Sequence, residues 1–323
     1  MTEPTFPTTD YVGILLIGDP HLEGRQPGFR KDDYPTVILE KLEWCLNYAR
    51  EQRLLPALLG DLFDKPRDNP NWLIGRLIQS LRGEILSLYG NHDVHTTAEL
   101  SPDDSLDLLV KAGCLRLLDE ANPWRGKIGP RRVVIGGSSY RCAIPKNYTA
   151  EPAAGETLPP LVLWLTHHDI LIPGYDEGRL KPGERAGIDL IVNGHIHRAL
   201  ETVTTGKTRW ITPGNISRRS RNDATRAHKP SVLRLDVTEA GFELSTIEVP
   251  HGTFDEVFHE EIAELPAEDR ASSFVLGLSE MLARQTASGA GLIEFLNHNL
   301  AQFEPAVADE IRALAHEVTH AQN

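Results

Sequence analysis

Short apolar runs alternate with helical patterns along the first third of the chain. The runs Tyr11–Gly18, Leu54–Gly60 and Glu84–Gly90 are almost continuously apolar, which is typical of strands buried on both faces. Asp33 is placed to cap a helix whose apolar residues recur three and four positions apart, namely Ile38, Leu42, Cys45 and Ala49. This alternation predicts a parallel α/β sheet, in which functional groups gather at the carboxyl ends of the strands.

Two further helices and several strands follow the same principles. Asn69 and Pro70 are expected to start a helix that buries Leu73, Leu77 and Leu81, and a short helix is expected around Asp104–Lys111. The later strands are predicted at Arg132–Gly137, Leu161–Thr166, Ile188–Asn193, Thr208–Thr212, Val232–Val237 and Phe242–Val249. The last three of these are expected to complete a second sheet, and residues 147–160 are expected to form a loop.

The pattern changes after residue 252. Three amphipathic helical patterns follow, at Ser272–Ala283, Gly291–Phe303 and Ala306–Val318. We therefore predict two parts, a main α/β domain over residues 1–252 and a small helical region over residues 253–323.

Composition and cysteine usage indicate the compartment. The longest apolar runs, such as Gly13–Ile17, are far shorter than the roughly 20 residues of a membrane span. Residues 1–10 lack the basic and apolar segments of a secretory signal. The three cysteines show no paired spacing, which favours buried reduced thiols. These features predict a cytoplasmic protein without a membrane partner.

The charge is unevenly distributed. The chain has a net charge of −13, which by itself argues against a nucleic-acid partner. Residues 206–229, however, contain seven Lys or Arg residues and one acid. Binding to phosphates requires local rather than total basic charge, so this segment keeps a nucleic-acid partner open.

Five clusters of polar residues stand at predicted strand ends. They are Gly18-Asp19-Pro20-His21, Gly60-Asp61-Leu62-Phe63-Asp64, Gly90-Asn91-His92-Asp93, Thr166-His167-His168-Asp169 and Gly194-His195-Ile196-His197. Carboxylate, imidazole and amide groups suit Mn²⁺, Fe²⁺ or Zn²⁺, and the clusters lack the thiolates of a structural zinc site. Two such ions can share a carboxylate, hold a phosphate and stabilise an in-line displacement at phosphorus.

Together the clusters resemble the calcineurin-like metallophosphoesterase superfamily. The resemblance implies a two-sheet αββα sandwich, in which one metal is held by Asp19, His21, Asp61 and His197. It also implies a second metal held by Asp61, Asn91, His167 and His195. His92 matches the catalytic histidine of the superfamily, and Asp64 matches the residue that orients it.

Shorter motifs resemble one branch, the SbcD-type DNA nucleases of the meiotic recombination eleven branch. Gly60–Asp64 followed by Pro66 is similar to that branch, as is the turn Pro213-Gly214-Asn215, although the branch usually has serine in place of Asn215. The basic cluster that follows is a candidate DNA contact, with Arg218, Arg219, Arg221 and Arg226.

This branch resemblance implies a Mn²⁺-dependent DNA exonuclease, with endonuclease activity as an addition, in a bacterial or phage-infected cell. It further implies a homodimer and an SbcC-type coiled-coil ATPase that docks on the C-terminal helices. Two alternatives remain open: a small-molecule phosphoesterase, such as a cyclic-nucleotide phosphodiesterase, and a non-catalytic scaffold with the same fold.

Overall fold

A computed structural model describes residues 10–27, 30–95, 99–150, 158–219, 221 and 226–259. The described residues up to His259 belong to one compact unit. The three helical patterns predicted between Ser272 and Val318 lie outside the described residues, so the boundary at residue 252 stays a prediction. None of the helices in the described ranges combines the length and the apolar character that a bilayer crossing requires.

The first sheet contains six strands in the order β12-β11-β1-β2-β3-β4. Its parallel strands are β1 (Gly13–Ile17), β2 (Leu54–Leu58), β3 (Leu86–Ser87) and β4 (Arg116–Leu117). Two antiparallel strands extend the sheet beside β1, namely β11 (Ser231–Thr238) and β12 (Gly241–Glu248). The prediction that β11 and β12 join the second sheet is therefore wrong, because β11 pairs with β1, a strand more than 200 residues earlier in the chain.

The second sheet has the order β5-β6-β7-β8-β10-β9. Its strands are β5 (Trp124–Ile128), β6 (Arg131–Ser138), β7 (Leu161–Thr166), β8 (Leu190–Asn193), β9 (Val203–Thr205) and β10 (Thr208–Ile211). Strands β6, β7, β8 and β10 are parallel, and the two edge strands run antiparallel to their neighbours. The two mixed sheets confirm the predicted metallophosphoesterase sandwich.

The four described helices are α1 (Tyr34–Glu51), α2 (Asn71–Ser80), α3 (Ser105–Lys111) and α4 (Phe254–Val257). Asp33 precedes α1 as predicted, but its carboxylate accepts a hydrogen bond from the Thr36 hydroxyl at 2.6 Å instead of capping a backbone N–H. Pro70 rather than Asn69 occupies the cap position of α2. The Asn69 amide instead donates to the Ser105 hydroxyl at 3.0 Å, which ties α2 to α3.

Strand β1 shows why continuous apolar runs mark the centre of this fold. Leu16 belongs to the core between the two sheets, together with Leu163 of β7. Leu15, on the opposite face, belongs to the core beneath α1, together with Leu42. Because successive side chains of a strand point to opposite faces, both sets must be apolar. This packing places the carboxyl ends of β1, β2, β3, β7 and β8 near one another.

Lys41 is a buried cation on α1. Its side chain is 7% exposed, and its ammonium group donates to the Ile216 carbonyl at 3.3 Å. Burial, together with the positive charges of Arg30 and Arg218, lowers the pKa of Lys41 to about 7 despite the opposing effect of the Asp32 carboxylate. The ammonium charge therefore destabilises the folded state whenever the proton is present.

We expect Lys41 to make stability depend on pH. The unfolded chain keeps this proton up to the ordinary lysine pKa of 10.5, whereas the folded chain loses it near 7. The unfolded state binds more protons between these values, so the free energy of unfolding rises with pH there, by about 1.5 kcal/mol between pH 7 and 8.5. Urea unfolding of metal-free wild type and Lys41→Met at both pH values measures this contribution. The rise is expected to be smaller in Lys41→Met by that amount.

The matched control is Lys111→Met, which removes an exposed lysine of α3. It is expected to keep the wild-type rise, since an exposed ammonium group stays hydrated in the folded chain. An equal rise in wild type and Lys41→Met would contradict the burial of a charged Lys41.

Candidate metal centre

The polar side chains predicted as metal ligands meet at one edge of the sandwich. Five loops deliver them, and each loop follows the carboxyl end of a parallel strand: β1, β2, β3, β7 or β8. The side chains come from Asp19, His21, Asp61, Asp64, Asn91, His92, His167, His195 and His197. Hydrogen bonds and ion pairs connect residues that are up to 176 positions apart in sequence.

The backbone at this edge adopts unusual conformations. Asp19, His21, Asp61 and His195 have φ values of 38°, 48°, 49° and 69°, in the left-handed region that L-residues rarely adopt. Such a conformation costs about 1–3 kcal/mol at a residue other than glycine, and it persists only where the surroundings impose it. Four candidate ligands therefore share a backbone feature that is typical of functional sites.

Two glycines of the motifs are required by crowding around Asp61. A Cβ atom on Gly90 would lie 2.0 Å from Asp61 Oδ1, and a Cβ atom on Gly60 would lie 2.5 Å from His167 Nδ1. Gly60 also has a φ of 98°, which a side chain would disfavour. The glycines before Asp61 and Asn91 thus allow neighbouring loops to approach each other closely.

A first group of ligand atoms comes from Asp19, His21, Asp61 and His197. These atoms all lie within 4.8 Å of one another. His21 Nε2 is 2.9 Å from His197 Nε2 and 3.7 Å from Asp61 Oδ2. This is the set that the resemblance implied for one metal.

A second group forms on the other side of Asp61. Atoms of Asp61, His167 and His195 lie within 4.8 Å of one another. Asn91 Oδ1 lies between the two histidines, 2.9 Å from His195 Nδ1 and 3.3 Å from His167 Nε2. Asp61 belongs to both groups, so its carboxylate is placed to be shared by two cations.

The bonding of these buried atoms fits a pair of divalent cations. Asp19 Oδ2 and His21 Nδ1 are buried and have no hydrogen-bond partner within the described ranges. Buried polar atoms are rarely left in this state. The carboxylate, imidazole and amide donors suit Mn²⁺, Fe²⁺ or Zn²⁺, and the two groups hold no sulfur ligand.

The shifted pKa values of buried acids and histidines also fit a site for divalent cations. Burial raises the pKa of the Asp19 carboxyl to about 7, against the opposing effect of His167. Burial by itself lowers the pKa of His167, but the Asp61 carboxylate 3.3 Å away, together with Asp19 and the Leu59 carbonyl, outweighs it and raises the pKa to about 9. Without a metal, Asp19 and His167 thus favour their protonated forms, whereas a metal site requires the same groups to be deprotonated. Cations that replace these protons satisfy the same atoms, because metal ligands bind in their deprotonated form.

His92 stands beside the ligand groups and belongs to neither. Its Nδ1 lies 2.8 Å from the Asp64 carbonyl, and its backbone N–H donates to Asp61 Oδ1 at 2.8 Å. A carbonyl oxygen can only accept, so Nδ1 carries hydrogen and Nε2 is the nitrogen left for a substrate. Burial lowers the pKa of His92, but the Asp61 carboxylate, the Asp64 contacts and Asp93 together raise it above its ordinary value. The side chain is 25% exposed, so it is accessible.

Two buried residues that brace the site were missed in the sequence. The Asp93 carboxylate accepts hydrogen bonds from Phe63 N at 3.0 Å and Gly90 N at 2.9 Å, which joins the loops after β2 and β3. The Asn193 amide accepts from His168 N and donates to the His168 carbonyl, both at 2.9 Å. Asp93 directly follows a predicted catalytic residue, and this adjacency was the available signal.

The structure separates the two histidines that follow β7. His167 is fully buried against Leu59 and Asp61, whereas the His168 ring is turned away and its Nε2 lies 2.7 Å from the Cys142 carbonyl. His167 is therefore the one that meets the other ligands, as the motif alignment implied.

Asn215, the residue that departs from the branch motif, is buried in the turn after β10. Its carbonyl lies 3.1 Å from His228 Nε2. With its amide oriented so that both polar atoms are satisfied, Asn215 also donates to the His197 carbonyl at 3.1 Å. The Asn215 side chain thus makes a polar link between this turn and the ligand loop.

The arginines predicted to contact DNA have different surroundings. Arg218 is 5% exposed and donates to the Gly252 carbonyl at 2.9 Å, so the prediction that it contacts DNA is wrong. Arg226 pairs with Asp255 at 3.1 Å and remains 57% exposed. Arg219 pairs with acids at the metal centre, and Arg221 is half-buried with an interaction of its own. The DNA contacts of the last three remain predictions.

Comparison with known protein families identifies the class of this chain. The model of the calcineurin-like phosphoesterase family matches residues 12–199, and the chain belongs to that family. Metal-dependent hydrolysis is characteristic of this family, which binds two divalent metals, in agreement with the two ligand groups around Asp61. A comparison with curated proteins gives no match.

Several solved structures are similar over most of the described chain. A hypothetical protein from Thermus thermophilus is 14% identical, over 74% of this chain and 100% of that chain, with a TM-score of 0.41. A predicted phosphoesterase from Streptococcus pneumoniae is 12% identical, over 75% and 94%, with a TM-score of 0.34. Vps29 from Chaetomium thermophilum is 15% identical, over 75% and 98%, with a TM-score of 0.29.

Proposed function

We propose that this chain is a DNA nuclease that hydrolyses phosphodiester bonds with two divalent cations, an SbcD-like exonuclease that uses Mn²⁺. The observation that carries the hydrolytic part is the Asp61 carboxylate, which is shared by two ligand groups and lies beside His92. Two cations in such a centre stabilise the negative charge that develops on a phosphoryl group during displacement.

The chain's own residues supply the rest of the chemistry. His92 is held through Nδ1–H by the Asp64 carbonyl, so Nε2 faces the substrate and, when the ring is a doubly protonated imidazolium, gives its proton to the departing oxygen and leaves a neutral imidazole. Asp61 fixes the same residue through its backbone N–H. The residue that carries the proton donor is therefore tied to the shared carboxylate by a hydrogen bond from its backbone.

DNA as the substrate is supported by the short motifs and by access to the site. The Gly60–Asp64 segment with Pro66 and the turn at Pro213 resemble the SbcD branch. His92 and His195 are 25% and 22% exposed, so both side chains can be reached from solvent. With this function we also propose a homodimer and an SbcC-type ATPase partner in DNA repair, recombination or replication.

A small-molecule phosphodiesterase is the second candidate. The arginine contacts favour it, because Arg218 is buried and Arg219 and Arg226 form ion pairs within the chain. An arginine used in this way adds less to a free basic surface for DNA.

Digestion of matched linear and circular double-stranded DNA with Mn²⁺ tests the proposal. We expect loss of the linear DNA and survival of the circle, with activity abolished by EDTA and by His92→Ala. Inert DNA together with hydrolysis of bis(p-nitrophenyl) phosphate would favour the second candidate. Absence of both activities in metal-loaded protein would contradict phosphodiester hydrolysis altogether.

A further inference from the structure

Arg219, which the sequence suggested as a DNA contact, lies against acids of the catalytic edge. Its Nε atom is 2.9 Å from Glu23 Oε1 and 3.2 Å from Asp64 Oδ1. The side chains of Glu23 and Asp64 are only 10% and 7% exposed, and that of Arg219 is 34% exposed. These ion pairs are partly shielded from water, which strengthens them relative to pairs on an open surface.

We propose that Arg219 is a positioning residue that fixes His92 through Asp64, an inference that rests on the proposed phosphodiesterase function. Asp64 connects the two, since its carboxylate meets Arg219 and its carbonyl lies 2.8 Å from His92 Nδ1. The ion pair limits the movement of Asp64 and so keeps His92 Nε2 aimed at the departing oxygen.

The charge of Arg219 also completes a third group of acid and imidazole atoms. Atoms of His21, Asp64 and His92 lie within 4.8 Å of one another, as metal ligands would. The guanidinium group 3.2 Å from Asp64 Oδ1 provides the positive charge at this point. Part of the negative charge of Asp64 is therefore balanced within the chain, by a guanidinium group that Asp64 shares with Glu23, and this favours a role of Asp64 in orienting His92 over binding of a third cation.

The segment that carries Arg219 is fastened on its N-terminal side. Ile216 N donates to the Gly18 carbonyl at 3.1 Å, directly before the first ligand. Arg218, the immediate neighbour, is buried and donates to the Gly252 carbonyl at 2.9 Å. These bonds fix the backbone just before Arg219 and so hold its side chain beside Asp64. A flexible loop that only binds phosphate would not require such bonds.

The test is a series of aryl phosphodiesters whose leaving groups have increasing pKa, hydrolysed with Mn²⁺. A poor leaving group depends on protonation by His92, whereas p-nitrophenolate needs little help. We expect Arg219→Ala to lower kcat by about 10- to 100-fold for the poorest leaving group, as outer-sphere partners commonly do. For the substrate that releases p-nitrophenolate, we expect Arg219→Ala to lower kcat by less than about threefold. We expect Arg219→Lys to restore the rate with the poorest leaving group, and Arg219→Ala to bind Mn²⁺ as the wild type does.

A double-mutant cycle separates positioning from substrate binding. Once His92 is alanine, removal of Arg219 is expected to cause no further loss, because Arg219 acts through His92. Arg82→Ala, which removes an exposed arginine just after α2, is the control and is expected to keep the wild-type dependence on leaving group.

Two results would overturn the proposal. Equal losses for good and poor leaving groups, or additive losses in the cycle, would show that Arg219 binds substrate or supports the fold. A wild-type protein that hydrolyses no member of the series would overturn this inference, and if it also leaves DNA intact the proposed function falls with it. Activity of the wild type therefore distinguishes the two failures.

Discussion

Replacement of Asp61 by asparagine is expected to lower phosphodiester hydrolysis by at least about 10³-fold, because several kcal/mol of charge stabilisation is lost with the shared carboxylate. Asparagine is nearly the same size, and its oxygen can still accept the hydrogen bond from His92 N. The change therefore removes the bridging charge while it preserves the local contacts. Initial rates with Mn²⁺ measure the loss.

Thermal unfolding gives an independent reading of the same variant. Mn²⁺ at about 100 times its dissociation constant is expected to stabilise the wild type by about 2.7 kcal/mol per site, and Asp61→Asn is expected to lose most of this gain. Asp119→Asn, at an exposed aspartate, is the matched control and is expected to behave as wild type. A metal-dependent stabilisation that survives in Asp61→Asn would contradict a shared ligand at this position.

Replacement of His92 by alanine is expected to lower hydrolysis of DNA by about 10²- to 10⁴-fold, the usual contribution of a general acid. Both groups of ligand atoms stay intact in this variant, since His92 contributes to neither. The expected result is a protein with wild-type metal content that has lost activity. Metal analysis of the purified variant beside a kcat measurement checks both parts.

His95→Ala is the control for this second prediction. His95 lies three residues further along the same loop and is exposed. Its removal is expected to leave the rate unchanged. A His92→Ala variant that is inactive only because it no longer binds metal would contradict the assigned role of His92.

The sequence pattern placed the candidate ligands in the loops after apolar strands, and the structure brings these residues together. Asp19 and Asp61 follow parallel strands of one sheet, and His167 follows a strand of the other. The carboxyl ends of such strands lie at one edge of the fold, whatever the loops between them contain. The hydrophobic pattern and the order of the strands were therefore enough to predict that these residues lie together. The selection of His167 rather than His168 rested on the resemblance to the superfamily, since the apolar pattern alone does not show which ring turns inward.

Features that depend on distant partners escaped the sequence. The pairing of β11 with β1 joins strands at opposite ends of the domain, and no local pattern specifies it. Arg219 meets Glu23 from 196 residues away, and Arg218 is buried rather than exposed. A run of arginines in the sequence shows that the segment is basic. It does not show which acidic residues the arginines will contact in the folded chain. The short strand β4, only two residues long, likewise carries too little pattern to be recognised.

The number of Mn²⁺ ions bound per chain tests the central claim most directly. Equilibrium dialysis of the wild type, beside Asp61→Asn, measures it without reference to any substrate. Two ions per wild-type chain, reduced in the variant, is the result that a centre built around Asp61 predicts. Binding of one ion or none by the correctly folded wild type would contradict it.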